Sequence, residues 1–448
     1  MKIVKLYDSY QGKIREFKPI KDNEVSIYYC GPTVYNYVHL GNFRPTITFD
    51  VLKRVLEEVG YNVKLVSNYT DIDDKIIKEA IKENKTEQEI SSFYIDAYEK
   101  QLDMLNVSPL FAHPKASEYI SKMTIFIDEL KNMGYAYKSK NDTFFRVSKV
   151  IDYGKLSNQT IQDLESGKRI DVNDDKESPL DFVLWKLTDD KGIKFDTIIG
   201  KGRPGWHTEC VCMVNSIFNS TLIDIHGGGF DLKFPHHENE IAQSLAHNGT
   251  TLANYWMHVG FLLTNGEKMS KSLGNSILAI DVLKRHSANA IRFFFLSTPY
   301  RSPVNYEEDI LSSLDDKDNK LNLTLKKAKY KVELSRIPFN SDIDLALYDE
   351  FISYLVDDLK TSNAITVIEK VTKKLNQLLS CKNTDFNEII IFYNTLMKLT
   401  SILGLKYDIP SLTDEDISIF EKYNIARDNK DFETSDKLRK VLIEKGII

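Results

Sequence analysis

Two stretches of this chain carry residue types that handle phosphate, and they lie far apart. The first is His39-Leu-Gly-Asn42, inside Cys30-Gly-Pro-Thr-Val-Tyr-Asn-Tyr-Val-His-Leu-Gly-Asn-Phe-Arg44. An imidazole and an amide flank a glycine there, at the start of a helix-like run, where backbone N–H groups and the dipole favour an anion. Gly41 would let a nucleotide come close. Taken alone, His39 is as readily a helix cap or a packed ring. The second stretch is Lys268-Met-Ser-Lys-Ser272, which puts two ammonium groups in a polar loop bounded by Gly266 and Gly274-Asn275. Its plainer alternative is a solvated surface loop. A third group is made of soft ligands: Cys30 and Cys210, with His236 and Glu240 spaced to share one helical face. Thiolate, imidazole and carboxylate are the donors zinc takes. The spacing is not that of a zinc finger, so these residues alone leave isolated buried cysteines as the plainer account, and Cys212 and Cys381 are read that way.

The elements that must position these groups follow from periodicity. Val25-Ser-Ile-Tyr-Tyr-Cys30 has the aromatic and β-branched content of a strand, and the apolar spacing from Ile47 to Gly60 predicts a helix. The stretch between them is the first βα turn of a parallel unit, the place where open α/β sheets bind ligands. Asn62–Tyr69 reads as the second strand and runs into Thr70-Asp-Ile-Asp-Asp, whose Asp71 and Asp73 read as acids at a helix start. Thr86-Glu-Gln-Glu89 is a capping box that opens a helix to about Leu105. From Pro109 to Pro204 the pattern becomes a helix over Lys115–Met133, short strand-like runs at Thr143–Val147 and Asp181–Trp185, and an acidic, solvated loop at Asp171–Glu177. Gly202–Cys210 then feeds an apolar helix to Phe218, and Thr221–His226 is a buried-strand pattern that meets Gly227-Gly-Gly229. Tyr255–Leu262 supplies the strand before the lysine loop. Beyond Arg301, helical spacing dominates over Glu307–Glu333, Leu345–Leu379 and Asn387–Leu403, and a charged helical pair follows.

Bulk properties narrow the class. A chain of 448 residues holds about three domains. Its net charge of −6 argues against indiscriminate coating of nucleic acid. Between Gly266 and Arg301, however, six basic side chains stand against only Glu267 and Asp281, so positive charge gathers around the lysine loop. No run of ~18 uncharged apolar residues occurs, and Met1-Lys-Ile-Val-Lys lacks the apolar core of a secretory signal, so a cytoplasmic protein with no membrane partner is expected. Four scattered cysteines do not make a disulfide framework.

In this order, the two phosphate motifs resemble the HIGH and KMSKS signatures of class I aminoacyl-tRNA synthetases. Asn42 stands where that signature has a second histidine, and its amide still donates to a phosphate oxygen. Cys30-Gly-Pro-Thr-Val-Tyr, Gly205-Trp-His-Thr-Glu-Cys210, Asp224-Ile-His-Gly-Gly-Gly-Phe-Asp-Leu-Lys-Phe-Pro-His-His-Glu-Asn-Glu240 and Lys268-Met-Ser-Lys-Ser-Leu-Gly-Asn275 narrow the resemblance to the cysteinyl-tRNA synthetase family, most densely over residues 28–75 and 201–306. The resemblance implies ATP-dependent activation of L-cysteine to cysteinyl-adenylate and transfer to the 3′ end of tRNA(Cys). It implies one Zn2+ per chain, held by Cys30, Cys210, His236 and Glu240 with His237 outside the set, and Mg2+ with the ATP. Catalytic roles then fall on His39, Asn42, Lys268 and Lys271, ATP contacts on His39, Gly41, Gly227, Gly229, Asp231 and Lys271, and substrate contacts on Thr70, Trp206 and His226. Zinc answers a problem that cavity shape does not. Serine differs from cysteine by one atom, and one small group is worth only ~1–3 kcal/mol.

The implied fold class is α/β: a Rossmann-like parallel-sheet catalytic domain split by an insertion, followed by an α-helical bundle and a small C-terminal anticodon-binding domain. The corresponding segments are 1–108 and 205–265 for the two catalytic halves, 109–204 for the insertion, 266–310 for the lysine loop and stem contact, 311–404 for the bundle and 405–448 for the terminal piece. A monomer with tRNA(Cys), ATP and L-cysteine as partners is expected. Ala426-Arg-x-x-Lys-Asp-Phe-x-x-Ser-Asp-x-Leu-Arg439 fits the family, but the tryptophan-bearing tail that follows it in the family is absent before Ile448. Two other readings compete. A cysteine ligase of the mycothiol pathway would share the core and pass its adenylate to an amino sugar; the helical region after Arg301 counts against it. A non-catalytic tRNA- or zinc-binding relic is opposed by the intact Lys268–Ser272 motif.

Overall fold

The computed structural model describes residues 2–140, 142–159, 175–188, 190–269, 274–381 and 385–448. Lys271 and most of the acidic stretch from Asp171 therefore lie outside the described residues. The chain forms two compact units, Met1–Arg285 with Tyr300–Tyr306, and His286–Pro299 with Glu307–Ile448.

The first unit is built on a four-stranded parallel sheet. Strand β3 (Glu24–Tyr29) pairs with β4 (Asn62–Ser67) on one side and with β9 (Ile223–Gly229) on the other, and β9 pairs with β10 (Ala253–Val259). The chain steps from β3 to β4 and only later returns to β3's other edge. The order therefore reverses between β3 and β9, and a crevice opens at their carboxyl ends. An antiparallel hairpin, β1 (Lys5–Asp8) with β2 (Lys13–Glu16), precedes this sheet. Helix α1 (Phe43–Glu58) makes the first crossover, burying Phe43, Ile47, Phe49, Leu52, Val55 and Leu56. It starts earlier than the Ile47 expected, through a 3-10 turn at Leu40–Asn42, and it ends before Gly60, whose φ is 104°. Helices α2 (Asp74–Glu83) and α3 (Glu87–Met104) follow, and the capping box expected at Thr86 and Glu89 is formed. Asp73 caps α2 through the Lys75 N–H, as an acid at a helix start should.

Between β4 and β9 lies the inserted segment. Helix α4 (Ile120–Asn132) packs with an antiparallel sheet of β5 (Ala136–Ser139), β6 (Asp142–Phe145), β7 (Phe182–Lys186) and β8 (Arg203–Pro204). Its Phe145, Leu184 and Trp185 join Tyr28 and Val66 of the parallel sheet, and Val211 and Met213 of helix α5 (Trp206–Phe218), in one continuous core. The insertion is thus packed as part of the first unit. Asp71, beside the end of β4, accepts hydrogen bonds from Ser117 N at 2.9 Å and Ser117 Oγ at 2.5 Å and ties the insertion to the sheet.

Helix α6 (Glu238–Asn248) follows β9, and β11 (Leu262–Thr264), β12 (Glu267–Lys268) and β13 (Val304–Tyr306) form a small separate sheet below the lysine loop. Helix α7 (Ala279–Arg285) closes this unit.

The second unit is helical: α8 (Ala288–Leu296), α9 (Glu308–Leu334), α10 (Leu345–Leu355), α11 (Thr361–Ser380), α12 (Phe386–Ile402), α13 (Asp414–Asp428) and α14 (Phe432–Glu444). The single helix expected over Leu345–Leu379 is broken, because Asp358 and Leu359 take left-handed φ values of 58° and 49°. No glycine or proline marks that break, so periodicity runs through it. The terminal pair α13 and α14 buries little beyond Ala426, Ser435 and Leu442, and packs through Leu442 against Tyr330 of α9. Cys212 is buried as expected. Cys381 departs from the expectation, since it lies exposed just past α11. No described helix is long and apolar enough to cross a membrane.

Gly227 shows what the sheet requires. A methyl group there would sit 2.1 Å from the Met257 carbonyl oxygen and 2.6 Å from the Phe49 ring. Gly227→Ala is expected to destabilise the first unit by ~1–3 kcal/mol, read as a lowered unfolding midpoint in thermal or urea denaturation.

Candidate metal and nucleotide site

At the crevice end of the parallel sheet, four soft donors converge. Cys30 follows β3, its N–H donating to Gly227 O at 3.0 Å, and Cys210 lies on the first turns of α5. His236 sits in a distorted turn, Lys233–His237, just before α6, and Glu240 in the first turn of α6 itself. Cys30 Sγ lies 3.7 Å from Cys210 Sγ, Cys210 Sγ 3.7 Å from His236 Nε2, His236 Nε2 2.9 Å from Glu240 Oε1, and Cys30 Sγ 4.0 Å from Glu240 Oε1. A tetrahedral zinc with Zn–S bonds of ~2.3 Å requires sulfurs ~3.8 Å apart and S···N edges of ~3.5 Å. The donor chemistry and the sulfur edges therefore fit zinc, while His236 and Glu240 stand at hydrogen-bond distance from each other. Cys210, His236 and Glu240 are buried, whereas Cys30 keeps some exposure and marks the open side.

A second set of donors overlaps the first: Cys30, His226, His237 and Glu240 also lie within coordinating reach of one another. His237 Nε2 is 3.3 Å from Cys30 Sγ and its Nδ1 is 2.9 Å from His258 Nε2. His226 is fully buried, with Nδ1 3.0 Å from Tyr28 O and Nε2 2.8 Å from Glu240 Oε2. The first set would bring both sulfurs to a metal ion, as a soft cation prefers. His226 then stands behind Glu240, orienting its second oxygen, a place where ligands are commonly held in register.

The electrostatics follow from burial against neighbours. Burial alone would neutralise Glu240, but His236 and His226 on either side override it and hold the carboxyl well below its usual range. Burial opposes charge on His236, yet Glu240 and Cys210 raise it to about 10. The hydrogen bond from Cys30 leads in drawing the Cys210 thiol down to about 6, while burial pushes Cys30 well up. Burial leaves His207 and His258 each at about 3, hence neutral. His207 Nδ1 lies 3.0 Å from His236 Nδ1, and Trp206, 40% exposed, stacks on the His236 ring at 4.2 Å.

Backbone hydrogen bonds join the His39 turn to the segment that follows the lysine loop. Leu40 N–H donates to Ile277 O and Ala279 N–H to Val38 O, so the His39 turn is stitched to the segment that leaves the lysine loop. The buried Arg44 donates to Gly260 O and Phe261 O, at 2.8 and 2.9 Å, and anchors the strand end that leads into that loop. Asn42 Oδ1 accepts from His39 N–H at 3.1 Å, a capping contact made by the amide oxygen. The space over Gly41 holds the His39 ring, since a methyl there would lie 2.9 Å from Cε1 and Nδ1. Gly227 is buried in the sheet and Gly229 ends β9 beside Asp231. Asp231 pairs with Lys268 at 3.2 Å, and Lys268 lies 4.4 Å over the Phe261 ring. Thr70 is buried, its backbone joined to Pro32 and Val34, and its hydroxyl donates to Glu209 Oε2 at 3.2 Å. Sequence reasoning gave no role to Glu209, His207 or His258. The only signal for Glu209 and His207 was their place inside the Gly205–Cys210 motif.

Comparison with known proteins decides the family. Residues 16–316 match the class I (C) catalytic domain of tRNA synthetases, and residues 350–407 match the DALR domain. A cysteine–tRNA ligase of Acholeplasma laidlawii is 44% identical over 446 residues, with 100% of each chain covered. One of Bacillus cytotoxicus is 42% identical, with 99% of this chain and 97% of the relative covered. The chain belongs to the cysteine–tRNA ligase family. It is a ligase with the class I synthetase fold, shared with a methionyl-tRNA synthetase of Mycobacterium tuberculosis solved with methionyl-adenylate at TM-score 0.61 and 14% identity, over 85% of this chain and 89% of that one.

Removing one thiolate should empty the metal centre without undoing the fold. Cys210→Ser is expected to carry far less than the one zinc per chain expected of the parent, measured by elemental analysis, with a circular dichroism spectrum that is unchanged.

Proposed function

We propose that the chain activates L-cysteine with ATP and Mg2+ to cysteinyl-adenylate and transfers the cysteinyl group to the 3′ end of tRNA(Cys), as a cytoplasmic monomer. The observation that carries this reading is the spacing of Cys30, Cys210, His236 and Glu240, which suits a soft metal ion at the carboxyl end of the parallel sheet. The membership of the cysteine–tRNA ligase family and the DALR match over residues 350–407 favour tRNA over an amino-sugar acceptor.

Zinc, when bound, supplies a soft Lewis acid that favours a thiolate over the hydroxyl of serine. The protein's own residues do the rest by alignment and charge, as phosphoryl chemistry needs no protein nucleophile. Thr70 and Trp206 flank the cluster and would confine the amino acid so that its carboxylate faces the α-phosphorus. His39 and the Asn42 amide donate to phosphate oxygens as charge builds in the transition state. Lys268 leaves Asp231 for the departing pyrophosphate, and Lys271 joins it from the loop. Asp231, once released, is free to accept from the ribose.

Purified chain assayed with each of the twenty amino acids and total tRNA is expected to charge cysteine alone, and to lose discrimination against serine along with activity when zinc is chelated. Undiminished discrimination in metal-free protein would overturn the zinc assignment. Lys271→Ala is expected to slow cysteine-dependent pyrophosphate exchange by ~10²-fold or more while leaving zinc content unchanged; an unaltered rate would remove Lys271 from the reaction.

A further inference from the structure

A cation that prefers sulfur accepts any small thiol, so zinc distinguishes cysteine from serine but not from a thiol that lacks the amino group. A second determinant must read the α-ammonium. Glu209 is placed to do so. It lies on the first turn of α5, next to Cys210, and its side chain is 1% exposed. Thr70 Oγ1 donates to its Oε2 at 3.2 Å, while Oε1 has no hydrogen-bond partner among the described residues. No lysine or arginine pairs with it among the described residues. Burial, with Cys210 and Asp71 adding to it, pushes the Glu209 carboxyl well above its usual range, while His236 and the Thr70 hydrogen bond oppose that. A buried carboxyl oxygen without a hydrogen-bond partner is costly, and an arriving N–H donor supplies the partner it lacks.

The location supplies the cation. Thr70 N–H donates to Pro32 O and Val34 N–H to Thr70 O, so the Thr70 turn lies against the segment that follows Cys30. Glu209 thus occupies the wall between that turn and the Cys30–Cys210 pair. An amino acid whose sulfur meets the metal carries its ammonium three bonds from that sulfur, ~3–4 Å away. Its three N–H donors match the vacant lone pairs of the two Glu209 oxygens.

We propose that Glu209 binds the α-ammonium of the substrate and so restricts the metal site to α-amino thiols. The inference rests on the zinc–thiolate reading above. It assigns Glu209 to substrate recognition and leaves the choice between cysteine and serine to the metal.

The test uses zinc-loaded full-length chain and two ligands that share a thiol and a carboxylate, L-cysteine and 3-mercaptopropionate, the second without an amine. Affinities are read by calorimetry. The parent protein is expected to bind cysteine about 10- to 100-fold more tightly, the range for a charge-assisted buried contact. Glu209→Gln should remove most of that difference by weakening cysteine alone, with zinc content and 3-mercaptopropionate affinity unchanged. Glu209→Asp, which keeps the charge but shortens its reach, should fall between the two, and it carries the comparison if the glutamine variant does not fold. Equal affinity of the parent for both thiols, or variants that weaken both ligands alike or neither, would overturn the role. Failure of the zinc reading is separable, because stripped protein would then bind cysteine as tightly as loaded protein while the preference for the amine persisted.

Discussion

The Glu240 carboxylate, fully enclosed and held between His226 and His236, is the interaction on which the site depends. An anion there costs several kcal/mol unless charge and hydrogen bonds surround it. Here both oxygens are engaged, one by each ring. Tyr28 O fixes the far side of His226, so the strand β3 backbone itself sets the orientation of the carboxylate. The same arrangement leaves Glu240 Oε1 pointing at the two sulfurs. A polar cluster this deep in a core loses stability relative to an apolar one, and the return is a set of donors already spaced for a metal.

That cluster sits where the sheet topology makes room for it. Strand order reverses between β3 and β9, and Cys30, Gly229 and the His39 turn all follow from the same end of the sheet. The bonds between residues 38–40 and 277–279 hold the His39 turn to the segment after the lysine loop although more than two hundred residues separate them. Lys268 pairs with Asp231 and lies over Phe261, and the ion pair is partly exposed and therefore weak. The site thus combines an enclosed cluster of candidate metal donors with a partly exposed Lys268–Asp231 pair.

The gap between reading and structure is clearest at glycines and helix breaks. Gly227 reads as part of a nucleotide loop, yet it is an interior strand residue made necessary by the Met257 carbonyl and the Phe49 ring. Gly41 reads as an approach path for nucleotide, and the His39 ring lies over it. Both glycines are required by close contact, but residue type alone does not say with what. The break at Asp358 and Leu359 is invisible for a related reason. Apolar spacing records which faces are buried and is insensitive to a turn that keeps both flanking helices on the same core.

Periodicity and local chemistry determined the parallel units, the capped start of α3 and the inserted segment, because hydrophobic pattern and capping residues act over a few neighbours, while the family was legible as a resemblance of whole motifs. Donor identity was also local, since only a handful of side chains bind soft cations. Tertiary structure alone decided that Cys30 and Cys210 approach to 3.7 Å, that His226 backs Glu240 instead of lining an open pocket, and that Glu209 is buried with an oxygen unsatisfied. Such relations depend on how strands distant in the chain are brought side by side, and a linear pattern carries no record of that distance.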